Sequence, residues 1–97
     1  MPKITIKQAH HHSREEIEKR VENYLLRMRD DKLKSMGFEY DWSPDKKHAS
    51  FKGTGFSGKA DICDDEVTLQ VDLSIMLAPF KSKVEESMKR NLEKSLA

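Results

Sequence analysis

The chain has 97 residues, enough for one domain with a single core, and we expect that domain to span residues 1–97. Its 18 Lys and Arg nearly balance its 17 Asp and Glu, and a formal net charge of +1 argues against a polyanion-binding protein. The single cysteine excludes an internal disulfide, and no apolar run approaches the ~20 residues of a membrane helix. Because the N-terminal residues lack a signal-peptide core, we expect a cytoplasmic protein of bacterial type.

The N-terminal third predicts one strand followed by one helix. Ile4 and Ile6 alternate with polar residues, as in a strand with one buried face. Ser13 and Glu16 match a capping box, whose two side chains accept hydrogen bonds from free amides at a helix start. The helix is predicted to end near Gly37. Its apolar positions recur at helical spacing: Ile17, Val21, Tyr24, Leu25, Met28 and Met36.

Three further strands are predicted between residues 38 and 63. Aromatic residues alternate at Phe38, Tyr40 and Trp42, and a proline-containing turn at 43–47 separates this second strand from a third. Residues 56–63 alternate as a fourth strand, and the two aspartates that follow predict a tight turn.

The most regular pattern is an alternation of apolar and polar residues that runs from Val67 to Leu77. It predicts a long fifth strand, buried on one face and wet on the other. Pro79 is typical of the first turn of a helix. The C-terminal helix then has an apolar stripe at four-residue spacing: Phe80, Val84, Met88, Leu92 and Leu96.

Together these elements predict an α+β fold. It is a two-layer sandwich in which two helices cover one face of an antiparallel sheet of about five strands, in the order β-α-β-β-β-β-α. The arrangement is similar to a reduced helix-grip domain, in which a C-terminal helix lies across a curved sheet. That likeness concerns the fold and does not define a function.

Three consecutive histidines, His10, His11 and His12, invite a metal-binding interpretation. On an extended strand His10 and His12 share a face about 6.6 Å apart, and Glu15 or Glu16 would supply a third ligand. The alternative, which we favour, is a polar connection whose imidazoles cap backbone groups or face water. We therefore expect no metal or other cofactor, and a metal-dependent activity is the weakest functional hypothesis.

No other constellation predicts catalysis or nucleic-acid binding. Cys63 lies among Asp61, Asp64 and Asp65, whose negative charges disfavour the thiolate that a nucleophile needs. None of the carboxylates stands inside an apolar stripe, where desolvation would tune a general acid. The lysines of the C-terminal helix alternate with glutamates, as on a solvated face. The sequence therefore predicts a protein that is not an enzyme.

The aromatic residues are numerous for a small two-layer core. Most are expected to be buried, but Trp42, Phe56, Met76 and Phe80 are candidates for an exposed apolar surface that contacts a ligand or partner. The glycines between residues 53 and 58 mark bulges or a close approach of a helix to the sheet. They are also able to leave space for an apolar groove.

Segments distributed along nearly the whole chain resemble the polyhydroxyalkanoic acid system proteins, small bacterial proteins associated with polyester granule genes. The resemblance implies a link to polyester storage, and it implies no enzymatic activity and no catalytic residues. The matching features are the strand at Ile4–Ile6 with His12-Ser13, the helix around Glu18–Arg20, Trp42, Phe51, Gly53, Gly55–Gly58, the alternation Val67–Leu73, and Met76–Lys81 with Val84.

Two main functional hypotheses follow. The leading one is a non-enzymatic accessory protein that acts at polyester granules or on granule proteins. The alternative is a small hydrophobic-ligand-binding domain with a groove between the C-terminal helix and the sheet. Because the wet face of the long strand carries Thr68, Gln70 and Asp72, a large obligate interface is not expected there, and we expect a monomer or a weak homodimer.

Overall fold

The computed structural model describes residues 3–97 apart from the side chain of Lys32, so the first two residues of the expected 1–97 domain lie outside it. The predicted α+β class and the order β-α-β-β-β-β-α are confirmed. The strands and α-helices are β1 (Lys3–Ala9), α1 (Arg14–Arg27), β2 (Glu39–Trp42), β3 (His48–Gly53), β4 (Phe56–Ile62), β5 (Glu66–Leu73) and α2 (Lys81–Leu96).

The five strands form one antiparallel sheet in the order β1-β5-β4-β3-β2. The interior position of β5, between β1 and β4, explains its regular alternation, because Leu69 pairs with Ile6 on one side and with Ala60 on the other, and all three are buried. The opposite face is open and polar. Cross-strand ion pairs such as Lys3–Asp72, at 3.9 Å, lie on it.

Both helices cover the apolar face of the sheet, which produces the predicted two-layer core. Ser13 caps α1 by accepting a hydrogen bond from the amide of Glu16 at 3.2 Å, as its position in the capping box predicts. The largest fully buried side chains come from β1, β5 and both helices: Tyr24, Ile4, Ile17, Leu25, Leu69, Leu73 and Leu92.

The fifth strand is shorter than predicted, and its assignment to residues 67–77 is wrong at the C-terminal end. β5 stops at Leu73, which pairs with the first residue of β4, Phe56. Beyond that point the amide of Ser74 donates to Gly55, and a 3₁₀ helix follows from Ile75 to Phe80. Ile75 and Met76 are therefore exposed on a helical turn and do not lie on a strand.

Pro79 also lies in this 3₁₀ helix, two residues before α2 begins at Lys81, and not in the first turn of α2 as predicted. The 3₁₀ helix runs directly into α2. Its residues bring the chain from the C-terminal end of β5 to the helical layer.

The first helix is also interrupted before its predicted end. Regular α-helix stops at Arg27, and a π-helical turn, Met28–Lys32, and a 3₁₀ turn, Lys34–Met36, follow. Aspartates in the π-helical turn are poor helix formers, and their charge is unfavourable at the C-terminal end of a helix. Gly37 ends the helical region in the left-handed conformation, with φ of 64°, as its predicted role as a C-terminal stop requires.

None of the helices in residues 3–97 is long and apolar enough to cross a membrane.

Candidate functional site

The apolar stripe of α2 is buried only along its C-terminal half. Leu92 and Leu96 are 0% and 4% exposed, Val84 and Met88 are half-buried, and Phe80 just before the helix is 53% exposed. The helix thus packs tightly against α1 and β1 at its C-terminal end and is separated from the sheet towards its N-terminus. The sequence stripe is continuous, but it faces a gap where the helix begins.

A cavity of about 370 Å³ fills that gap. Its size lies in the range of small-molecule sites, about 300–1,000 Å³. On one side Tyr24, Leu25 and Met28 of the first helical region form its wall, and Leu33 and Met36 of the following turns extend that wall. The interruption of α1 therefore places two further apolar side chains at the cavity.

The sheet forms the floor of the cavity. Three stacked aromatic rings dominate it: the ring of Phe38 lies 5.6 Å from that of Phe51 and 6.1 Å from that of Phe56, measured between centroids. Val71 and Leu73 of β5 complete the floor. Offset aromatic packing at these separations is favourable, so the floor is pre-formed without a ligand.

Glycines make room for this floor. A Cβ atom at Gly53 would lie 2.4 Å from the Phe56 ring, and one at Gly58 would lie 2.7 Å from the Phe51 ring. Residues 53–55 form a hairpin turn and not a bulge, which was one of the two expected roles: Gly53 pairs with Phe56, and Gly55 has a φ of 86°. The other expected role, a close approach of a helix, occurs at Gly55, where an added Cβ atom would lie 3.0 Å from Leu77 of the 3₁₀ helix. The glycines of this region thus allow both the hairpin turn and the close packing of the aromatic rings in the cavity floor.

The mouth of the cavity is lined by the 3₁₀ helix and by one edge of α2. Leu77 and Phe80 contribute apolar surface, and Lys83, Ser87 and Asn91 contribute polar groups one helical turn apart. Outside the mouth, Ile75 is 82% exposed and Met76 is 76% exposed. We call Ile75, Met76 and Phe80 the apolar lip.

The four side chains predicted to form an exposed apolar surface lie in two places. Phe56 and Phe80 line the cavity, and Met76 lies on the apolar lip. Trp42 is not among the cavity residues: it is half-buried against α1, where its Nε1 donates to Glu22 at 3.0 Å, and Lys46 lies 5.7 Å from its ring centroid.

Tyr40 shares this second location with Trp42. Its partial burial, together with the negative charge of the nearby Glu22, raises its pKa to about 12. Arg29 lies 5.8 Å from the Tyr40 ring centroid and opposes the shift. These contacts of Trp42 and Tyr40 hold the edge strand β2 against the first helical region. Neither residue lines the cavity.

The side chains of His10 and His12 form hydrogen bonds with backbone groups. His10 is buried; its Nδ1 accepts from the amide of His12 at 3.1 Å, and its Nε2 lies 3.0 Å from the carbonyl of Cys63. Since Nδ1 is an acceptor, Nε2 carries the proton and donates to Cys63. Within residues 3–97 no group of three or more His, Cys, Asp or Glu is placed to hold a metal ion.

The C-terminal end of α2 is anchored by polar side chains from the N-terminal third of the chain. His12 Nε2 lies 2.7 Å from the carbonyl of Leu96, and Arg20 donates to the carbonyls of Ser95 and Ala97 at 3.2 and 2.9 Å. Arg27 donates to the hydroxyl of Ser95. Donors of this kind satisfy carbonyls that a helix end leaves free. They fix one end of α2 while the other borders the cavity.

Cys63 is exposed in the β4–β5 turn, away from the cavity. His48 on the open face of the sheet pairs with Asp61 across the strands, with 2.6 Å between Nδ1 and the carboxylate oxygen. The cavity includes neither of these residues. Its lining is mostly apolar.

Comparison with known proteins identifies a fold relative and a family. The crystal structure of TTHA0849 from Thermus thermophilus is similar over 98% of this chain and 92% of that one, with a TM-score of 0.56. The two sequences are 14% identical, so the likeness concerns the fold alone. No curated protein sequence matches the chain significantly. The model of the family described as "Putative polyhydroxyalkanoic acid system protein" matches residues 4–96, and the chain belongs to this family.

Proposed function

We propose that this protein is a non-enzymatic binding protein that holds a small apolar ligand in the cavity between α2 and the sheet. The carrying observation is the cavity itself: about 370 Å³ of space walled by aromatic, aliphatic and methionine side chains. A ligand there removes apolar surface from water, which contributes roughly 25 cal/mol for each Å². Sites of this composition are typical of small-molecule binding.

The lining supports binding better than catalysis. Among its described residues, one carries a charge, Lys83, and none is a carboxylate, an imidazole or a thiol. General acid–base or nucleophilic chemistry uses such groups in proximity to the reacting atoms. A binding role in polyester storage, the process named by the family, accounts for both the lining and the membership.

The cavity proposal is tested by filling the cavity. In a displacement assay with a fluorescent fatty-acid analogue, Val84→Phe is expected to lose most binding because the larger side chain occupies the space. Val84→Ala, which enlarges the cavity at the same position, is the matched control and should retain binding. Equal binding by both variants, with unchanged circular dichroism spectra, would contradict the proposal.

A second candidate function, attachment to the surface of polyester granules, is supported by the apolar lip. Ile75, Met76 and Phe80 are 82%, 76% and 53% exposed, and all three lie on the short 3₁₀ helix. A concentrated exposed apolar patch favours contact with an apolar surface. This role is compatible with the cavity, because the lip borders its mouth.

Granule attachment is tested by partition onto artificial polyester particles. The double variant Ile75→Asn with Met76→Asn is expected to reduce the bound fraction severalfold. The matched control places the same side chains on the open face of the sheet, as Thr68→Asn with Gln70→Asn, and should bind like the unmodified protein. Equal partition of both double variants would show that the lip is not the attachment surface.

A further inference from the structure

We propose that the cavity takes an alkyl carboxylate, whose chain lies among the apolar side chains and whose head group is bound by Lys83 at the mouth. This inference rests on the proposed binding function and specifies its ligand class. It is carried by the placement of a single cation and two neutral polar side chains along one edge of an otherwise apolar site.

Apart from the hydroxyl of Tyr24, which donates to the carbonyl of Met88 at 3.5 Å, the polar side-chain groups of the lining lie on α2. Lys83, Ser87 and Asn91 are four residues apart, so they form one row along the helix. Asn91 Nδ2 lies 3.5 Å from the hydroxyl of Ser87, a distance at the limit of a hydrogen bond. The floor opposite this row consists of aromatic and aliphatic side chains. The ligand that matches this asymmetry has one polar end and one apolar chain.

The charge at the mouth is positive and not neutralised by a close carboxylate. Within residues 3–97, Lys83 has no ion pair, whereas Arg90 on the same helix pairs with Glu86 at 3.1 Å. A lysine ammonium has three donors and no acceptor, so its natural partner is an anion. The flexible stem of a lysine packs along apolar surface while its ammonium group stays in water, so a lysine suits the mouth of an apolar cavity.

The identity of the cation favours a carboxylate over a phosphate ester. Arginine forks are the usual bidentate partners of phosphate groups, often in clusters. The lining residues include no arginine, and one lysine balances one carboxylate. Ser87 and Asn91 supply additional donors along the same edge.

The closing experiment compares decanoate with decanol, which has the same chain length and no charge, by calorimetry at neutral pH. Decanoate is expected to bind the unmodified protein about fivefold more tightly than Lys83→Gln, the upper range for an exposed ion pair. Decanol should bind both proteins equally. The matched control, Lys89→Gln, removes an exposed lysine of the same helix that does not line the cavity and should leave both affinities unchanged.

The outcomes separate this inference from the function on which it rests. If decanol binds and decanoate is insensitive to Lys83→Gln, the head-group assignment is overturned and the cavity function stands. If neither compound binds, the cavity function fails as well.

A chain-length series tests the position of the tail. From hexanoate to decanoate, each added methylene is expected to tighten binding about fourfold until the cavity is filled. Affinity that does not change with chain length would contradict a tail among the apolar side chains.

Discussion

At the scale of single residues, the floor of the cavity depends on positions where a side chain would not fit. Gly58 is the clearest case: an added Cβ atom would lie 2.3 Å from the carbonyl oxygen of Gln70 and 2.7 Å from the Phe51 ring. The sequence indicated that these glycines had a structural role, but not that aromatic rings lie over them. Ring placement depends on cross-strand register, which local patterns do not specify.

Gly58→Ala is expected to destabilise the protein by about 1–3 kcal/mol, because overpacking displaces the Phe51 ring or the strand. Urea denaturation measures the change. Gly37→Ala is the control: its Cβ would meet no described atom within 4 Å, so it carries only the strain of a φ of 64°, about 1–2 kcal/mol. Only Gly58→Ala should also weaken ligand binding. Weaker ligand binding by Gly37→Ala, or unchanged ligand binding by Gly58→Ala, would contradict the role assigned to Phe51.

Tyr24 predicts how stability depends on alkaline pH. Burial raises the pKa of its hydroxyl above the ordinary value, and the nearby Arg27 charge lowers it by less. The neutral form is thus favoured in the folded state. Its contribution is complete below the unfolded pKa of about 10 and is lost as pH rises above that value.

Tyr24→Phe is therefore expected to flatten the alkaline loss of stability, by up to about 1.4 kcal/mol per pH unit above pH ~10. Denaturant unfolding at a series of pH values measures this slope. Tyr40, whose pKa is raised to about 12, remains in the variant and keeps part of the dependence. An unchanged slope would show that Tyr24 ionises freely in the folded protein.

At the scale of elements, sequence periodicity predicted the order and type of every major strand and α-helix but misplaced three boundaries, the C-terminal ends of α1 and β5 and the start of α2. The alternation of residues 67–77 continues beyond Leu73, which pairs with the first residue of β4. The sequence pattern is therefore longer than the paired strand. Likewise, the helical stripe of α2 does not show that only its C-terminal half reaches the core. In both cases the residues concerned border the cavity.

The anchored end of α2 gives a prediction at this scale. Arg20→Gln should destabilise the protein by about 1–2 kcal/mol, because it removes charge-assisted hydrogen bonds to the carbonyls of Ser95 and Ala97. Arg90→Gln, on the exposed side of α2, is the control and should change stability by less than about 0.5 kcal/mol. Thermal unfolding compares the two. Equal effects would remove the anchoring role of Arg20.

At the scale of the whole molecule, the sheet and the two helices form a small core that is complete at one end of α2 and open at the other. The sequence identified Phe56 and Phe80 as candidate contact residues, and both line the cavity. It did not identify Met28, Met36 or Lys83, because a methionine in a helical stripe resembles core and a lysine on a helix resembles a solvated face. Their role depends on a gap between elements, which only the assembled fold defines.

The most direct measurement is a titration of the protein, labelled at its methionine methyl groups, with decanoate, followed by NMR. Met28, Met36 and Met88 line the cavity, whereas Met76 lies outside it on the apolar lip and serves as an internal control. We expect saturable shifts of the three cavity methyl resonances and little change at Met76. No shift at the three, or shifts confined to Met76, would contradict a ligand site beneath α2.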